Sequence, residues 1–248
     1  MPATIAAGYN RRSLQALACL VAVYTAVGVN WFHLLDLSRG MDWLLGGIWA
    51  FMTAALCWDV RPRRDLPLTI VAMLGGLVIE GWGTQTRLWT YFTLERPPIW
   101  IIPAWPVAGL TVDRLARVLD AALPRGAADR VPWRLAYWTL VPLFVLAMTR
   151  FLWPTVDLGA SQLVVGLMLV VLASSTNARA DMVLFLAGTG LGIFLEYWGT
   201  SRRCWTYYTH AVPPPVAVVA HGFASLAFAR GVTLWSRLRG VGRPGLAT

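Results

Sequence analysis

The chain has 248 residues, of which 57% are hydrophobic and 13% charged, and it carries a net charge of +9. Soluble domains hold about 25% charged residues, so a soluble enzyme is excluded as the starting class. All 21 basic residues are Arg, and the missing lysine excludes a retinal or pyridoxal Schiff base and a nucleotide-binding phosphate loop.

Apolar stretches bounded by Arg, Pro or Asp predict helices over 13–34, 41–59, 66–84, 98–117, 133–152, 159–175, 180–199 and 214–233. Eight spans of about 20 residues leave room only for short loops, which predicts an all-α polytopic integral membrane protein forming one membrane domain; seven spans is the alternative count. The first stretch follows Arg11 and Arg12 and reads as a retained helix, because it is long and has no cleavage site before Asn30. Segment 113–134 is Arg-rich, contains Pro124 and Gly126, and reads as a cytoplasmic hinge whose DRLARVLDAAL portion is an interfacial amphipathic helix. Fifteen of the arginines fall at the termini and in the second, fourth and sixth loops. Arg39, Arg87, Arg96, Arg150, Arg202 and Arg203 fall on the other face. The positive-inside rule therefore predicts an inner (plasma) membrane protein with both termini cytoplasmic. The same distribution explains the net charge without nucleic acid.

One segment recurs. Glu80, Trp82, Gly83, Thr84, Arg87, Trp89, Thr90, Tyr91, Thr93, Pro97 and Pro98 reappear as Glu196, Trp198, Gly199, Thr200, Arg203, Trp205, Thr206, Tyr207, Thr209, Pro213 and Pro214, at a constant offset of 116 residues. Upstream, Arg63 and Asp65 fall on Arg179 and Asp181 at the same offset. Four helices separate the copies, which predicts two parallel four-helix repeats, about 13–117 and 133–233, with both motifs toward the outer face. The protein has three glutamates, and two of them occupy this shared position.

Glu80 and Glu196 lie near the ends of the third and seventh helices after long apolar runs. A carboxyl group there is costly unless paired, and as a neutral acid in an apolar pocket it can donate a proton. The alternative is an ion pair with Arg87 or Arg203 that locks the halves together. Trp82, Trp89, Tyr91, Trp198, Trp205 and Tyr207 form either an interfacial belt or a pocket whose ring faces stabilise a cation. Gly83-Thr84 and Gly199-Thr200 are expected to end the helices through unusual glycine backbone angles, and the paired prolines to start the fourth and eighth helices. Trp105 aligns with His221, which lies about 10 Å into its helix and is expected to meet Glu196 as a general acid/base pair. Asn30 and His33 are weaker candidates, and His210 reads as a solvated loop residue. His33, His210 and His221 have no metal-ligand spacing, and Cys19, Cys57 and Cys204 give no disulfide framework; neither metal nor cofactor is expected.

The pattern of Glu80, Gly83, Thr86 and Tyr91, followed by Pro98 to Trp105 (PIWIIPAW), resembles the multi-helix carotenoid hydratases, which add water to carotenoid end groups. Arg87-Leu88-Trp89 replaces that family's Gly-Phe-Gly segment. The resemblance implies a cofactor-independent lyase or isomerase whose membrane acid protonates an isoprenoid double bond. Two membrane carboxylic acids among aromatics are also similar to the small multi-helix terpene cyclases. The expected activity is hydration, isomerisation or cyclisation of an isoprenoid or carotenoid-like lipid. Glu196 and Glu80 would be the acids and His221 the relay, and Trp82, Trp89, Tyr91, Trp105, Trp198, Trp205, Tyr207, Arg87 and Arg203 would contact substrate. A proton-coupled carrier and a non-catalytic lipid-binding or assembly subunit are the alternatives.

Overall fold

Local signals start the helices where the sequence allows backbone groups to be satisfied. Asn10 Oδ1 accepts from the Arg12 N–H at 2.9 Å while Ser13 Oγ accepts from the Asn10 N–H at 3.0 Å, a capping box at the first helix. Asn177 caps the seventh by accepting from the Ala180 N–H at 3.1 Å. Pro62 and Pro215 stand at first helical positions, where a missing N–H costs nothing. The computed structural model describes residues 8–31, 33, 43–124 and 131–239. Among these it has eight α-helices: α1 (Arg11–Asn30), α2 (Trp43–Cys57), α3 (Pro62–Gln85), α4 (Ala104–Ala122), α5 (Trp133–Phe151), α6 (Gly159–Ala173), α7 (Ala178–Ser201) and α8 (Pro215–Leu238). By length and composition α1, α3, α7 and α8 can each cross a membrane.

Three expectations are corrected. The fourth helix starts at Ala104 rather than 98, because Ile99–Ile101 form a 3-10 turn after Pro97 and Pro98. The DRLARVLDAA stretch is no separate interfacial helix: it completes α4, and Arg114 within it is buried. Of the rest of the expected hinge, 125–130 lies outside the described residues and Trp133 and Arg134 already belong to α5. The all-α architecture also carries one short ribbon, β1 (Trp89–Tyr91) paired antiparallel with β2 (Trp205–Tyr207). Its register sets Thr90 opposite Thr206 and crosses Trp89 with Tyr207 and Tyr91 with Trp205. The ribbon therefore joins the two motifs through equivalent residues, as a two-fold axis would.

Helices α7 and α8 pack closest, and small residues permit it. A Cβ on Gly188 would lie 2.8 Å from the Gly222 Cα, and one on Gly222 would lie 2.4 Å from the Phe185 carbonyl oxygen. Helix α4 packs on α3 and α7, α8 also packs on α3, and α5 lies against α7 and α8, while α1 packs mainly on α2. The α3, α4, α7 and α8 group is the centre of the molecule.

At the end of this group opposite the ribbon, Arg114 grips Asp65 with two hydrogen bonds of 2.9 and 2.6 Å. Arg230 donates to Asp181 at 2.6 Å. Both pairs are related by the same offset of 116 residues, and Ser175 Oγ also donates to Asp181. Nearby, burial raises the Asp59 carboxyl, but its hydrogen bond from Arg61 and the charge of Arg117 outweigh this and hold it below the ordinary carboxylate range.

Candidate functional site

Both glutamates stand five residues before their helix ends and are 4% and 5% exposed, Glu80 and Glu196 respectively. The backbone that follows folds the aromatic motif back onto them. In α3 the Leu88 N–H bonds to the Gly83 carbonyl at 2.9 Å and the Arg87 N–H to the Thr84 carbonyl at 3.3 Å. In α7 the Cys204 and Arg203 N–H groups repeat this to Gly199 and Thr200 at 2.8 and 3.1 Å. These are Schellman closures. The residues in the left-handed region are Arg87 (φ 59°) and Arg203 (φ 57°), not the glycines. Gly83 and Gly199 serve another purpose: a Cβ on either would lie 1.9 Å from the Trp89 or Trp205 ring. Each glycine makes room for the indole that reaches its own glutamate.

The Glu80 carboxylate accepts from Trp89 Nε1 at 3.0 Å, Tyr91 Oη at 2.9 Å and Trp105 Nε1 at 3.2 Å. Glu196 accepts from Trp205 Nε1 at 3.1 Å and Tyr207 Oη at 2.9 Å, and its Oε1 lies 3.0 Å from His221 Nε2. Burial, and then the neighbouring carboxylate, hold the Tyr91 and Tyr207 phenols well above their ordinary range, so both remain donors. Among the described residues no arginine pairs with either glutamate, so the expected ion-pair lock with Arg87 or Arg203 gives way to neutral donors. Thr84 and Thr200 donate to the Glu80 and Glu196 backbone carbonyls, each at 2.6 Å.

The two sites adjoin. Trp105 and His221 stack across the molecular centre with ring centroids 6.0 Å apart and planes 15° from parallel. Gly76 and Gly192, matching residues of α3 and α7, lie against these rings, where a Cβ would come within 2.2 Å of Trp105 and 2.8 Å of His221. The sites differ in kind: Trp105 can only donate, whereas an imidazole can give or take a proton.

Both carboxylates open onto one cavity of about 1620 Å³ lined mostly by apolar and aromatic side chains. Trp82, Trp89, Tyr91, Trp105, Trp198, Trp205 and Tyr207 all line it, as does Arg203. Trp82 also ties α3 to α6 by donating to Ser161 Oγ at 3.0 Å. Arg87, expected at the substrate, stands exposed outside the lining, unlike Arg203 in the matching turn. Asn30 donates to the Ala26 carbonyl at 2.7 Å at the exposed end of α1, and His33 and His210 are exposed; none joins the site. The described residues hold no cluster of His, Cys, Asp and Glu suited to a metal. Trp100, edge-on to Tyr91 at 5.3 Å, and Phe228, edge-on to Trp105 at 5.9 Å, complete the wall and were not singled out by sequence. The PIWIIPAW stretch was the available signal for the first; Phe228 sits in an ordinary apolar run that offered none. No protein-family model, curated protein or solved structure matches this chain.

Proposed function

We propose that this protein is a cofactor-independent membrane enzyme that protonates a carbon–carbon double bond of an isoprenoid lipid. In this reading all eight helices span the inner membrane as two parallel repeats, with both termini cytoplasmic and the ribbon toward the outer face. The recurrence of the glutamate sites and of the Asp65–Arg114 and Asp181–Arg230 pairs at one offset supports the repeat. The observation that carries the function is the contact of Glu196 with His221 at 3.0 Å on the wall of a large aromatic cavity.

Glu196, as the neutral acid, gives its proton to one alkene carbon; a C–H bond forms, the π bond breaks, and a cation develops on the adjacent carbon. Glu80 remains an anion held by three neutral donors, and with the ring faces it stabilises that cation. Water then adds and releases a proton to His221, or the neighbouring carbon gives its proton to His221 and a new double bond forms, giving a hydrate or an isomer. Transfer from His221 to Glu196 restores the acid. This is the chemistry that the resemblance to carotenoid hydratases implies. A proton-coupled carrier would favour carboxylates near the membrane midplane, whereas Glu80 is only five residues from the end of a 24-residue helix.

The test is expression of the wild type and Glu196→Gln in a host supplied with isoprenoid and carotenoid precursors, followed by mass spectrometry of lipid extracts. A product of one added water or of equal mass, formed by the wild type alone, is expected. Identical extracts from two folded proteins would overturn the proposal.

A further inference from the structure

The cavity is apolar over most of its wall, but its polar end is one-sided. Ser201, Arg202, Arg203 and Cys204, in the turn that ends α7, all line it. The matching turn Gln85–Leu88 after α3 contributes no lining residue among those described, and there Thr86 stands where the second half has Arg202. Arg202 Nη1 donates to Ser201 Oγ at 2.6 Å. Arg203 is exposed and, like Arg87 in the first half, holds a left-handed backbone angle, but of the two only Arg203 lines the cavity. Two cations thus rim the site just beyond the end of α7, and Glu196 lies five residues before that end, about 8 Å at the helical rise per residue.

This polarity selects an occupant and its direction. Leu74, Val78 and Leu167 line the cavity and are also exposed on their helix faces, so the wall opens sideways toward the hydrocarbon of the bilayer. A long apolar chain can pass there. An anionic head is attracted by the Arg202 and Arg203 rim and repelled by the Glu80 carboxylate deeper in the cavity, whereas a neutral lipid feels neither force. Guanidinium pairs match phosphate oxygens with charge-assisted hydrogen bonds.

We propose that the site takes an isoprenoid lipid with a phosphate or diphosphate head, the head on Arg202 and Arg203 and the chain descending past Glu196 and His221. The identification of the chain as isoprenoid rests on the function proposed above; the anionic head stands on the rim alone. The bond presented to Glu196 then lies among the carbons nearest the head rather than at the far end of the chain. The phosphate ester itself is left intact.

The experiment measures binding by quenching of tryptophan fluorescence in neutral phosphatidylcholine nanodiscs. The probes are geranylgeranyl monophosphate, geranylgeraniol, phosphatidic acid and inorganic phosphate. The wild type is expected to bind the prenyl phosphate at least about tenfold more tightly than the alcohol, with neither phosphatidic acid nor inorganic phosphate competing at equal concentration. Arg202→Gln/Arg203→Asn should abolish most of that preference; Asn is chosen at 203 because it tolerates the left-handed backbone. The melting temperature of this variant should match the wild type, which shows that the protein is still folded. Equal binding of phosphate and alcohol by the wild type, a preference untouched by the double variant, or equal competition by either other probe would overturn the inference. Selective binding of prenyl phosphate with no chemistry lost in Glu196→Gln would overturn the enzyme reading and leave the ligand assignment standing. Loss of a neutral product in Glu196→Gln without any phosphate preference would do the reverse.

Discussion

Glu80 receives an indole N–H on each oxygen, from Trp89 on Oε2 and from Trp105 on Oε1. An amide at this position, in either orientation, must set its NH2 against one of those donors. Glu80→Gln is therefore expected to lose about 1–3 kcal/mol of stability, the cost of one orphaned buried donor. At Glu196 an amide can direct its NH2 toward His221 Nε2, which accepts in its other tautomer, and keep its oxygen for Trp205. Glu196→Gln should melt closer to the wild type than Glu80→Gln does, while losing more turnover; thermal melts in detergent beside the lipid assay read both. The reverse order of melting would show that the hydrogen-bond pattern does not govern these two positions. His221→Trp gives the second half the first half's donor, and Gly192 leaves space beside it as Gly76 does beside Trp105. The variant should fold and bind lipid yet lose turnover, because an indole cannot return a proton to Glu196. Wild-type turnover in that variant would remove His221 from the mechanism.

At the level of the elements, the helix ends and the ribbon do the positioning. Gly83 and Gly199 each face the ring that reaches their glutamate, so Gly83→Ala or Gly199→Ala must push Trp89 or Trp205 aside. Such overpacking costs about 1–3 kcal/mol, and each substitution should also disturb its own glutamate's hydrogen bond. Indole fluorescence and melting temperature together check this; an unchanged spectrum and melt would show that the backbone shifts instead. The helices themselves were legible from apolar runs, and the shared motif from simple self-comparison. The helix-closing role given to the glycines was not correct, because composition alone does not separate a glycine needed for backbone angle from one needed for a neighbouring ring. Arg114 and Arg230 were counted only as cytoplasmic charge, although both sit at the common offset and bond to Asp65 and Asp181. Extending the self-comparison beyond the aromatic motif would have found them; their burial could not be read, since it depends on which faces of α3, α4, α7 and α8 meet.

For the whole molecule, the halves share a motif but not a surrounding. Helix α5 packs on α7 and α8, while α1 packs mainly on α2, and the charged rim of the cavity belongs to the second half alone. A periodic sequence cannot express this, because each half reads as the same string of spans. On the proposed topology the two ribbon strands share one side of the membrane and the Asp–Arg pairs lie toward the other. The proposed orientation, drawn from Arg counting, puts the ribbon outside. This is checked with single cysteines in a chain whose three native cysteines are replaced by alanine: Thr209→Cys beside the ribbon, and Arg63→Cys at the start of α3, both exposed positions. In intact cells a membrane-impermeant maleimide should label the cysteine at 209, and reach the one at 63 only after permeabilisation. The opposite pattern would invert the orientation and place the cation rim in the cytoplasm. Labelling of both in intact cells would break the shared-span arrangement, because α3 would then not separate its two ends.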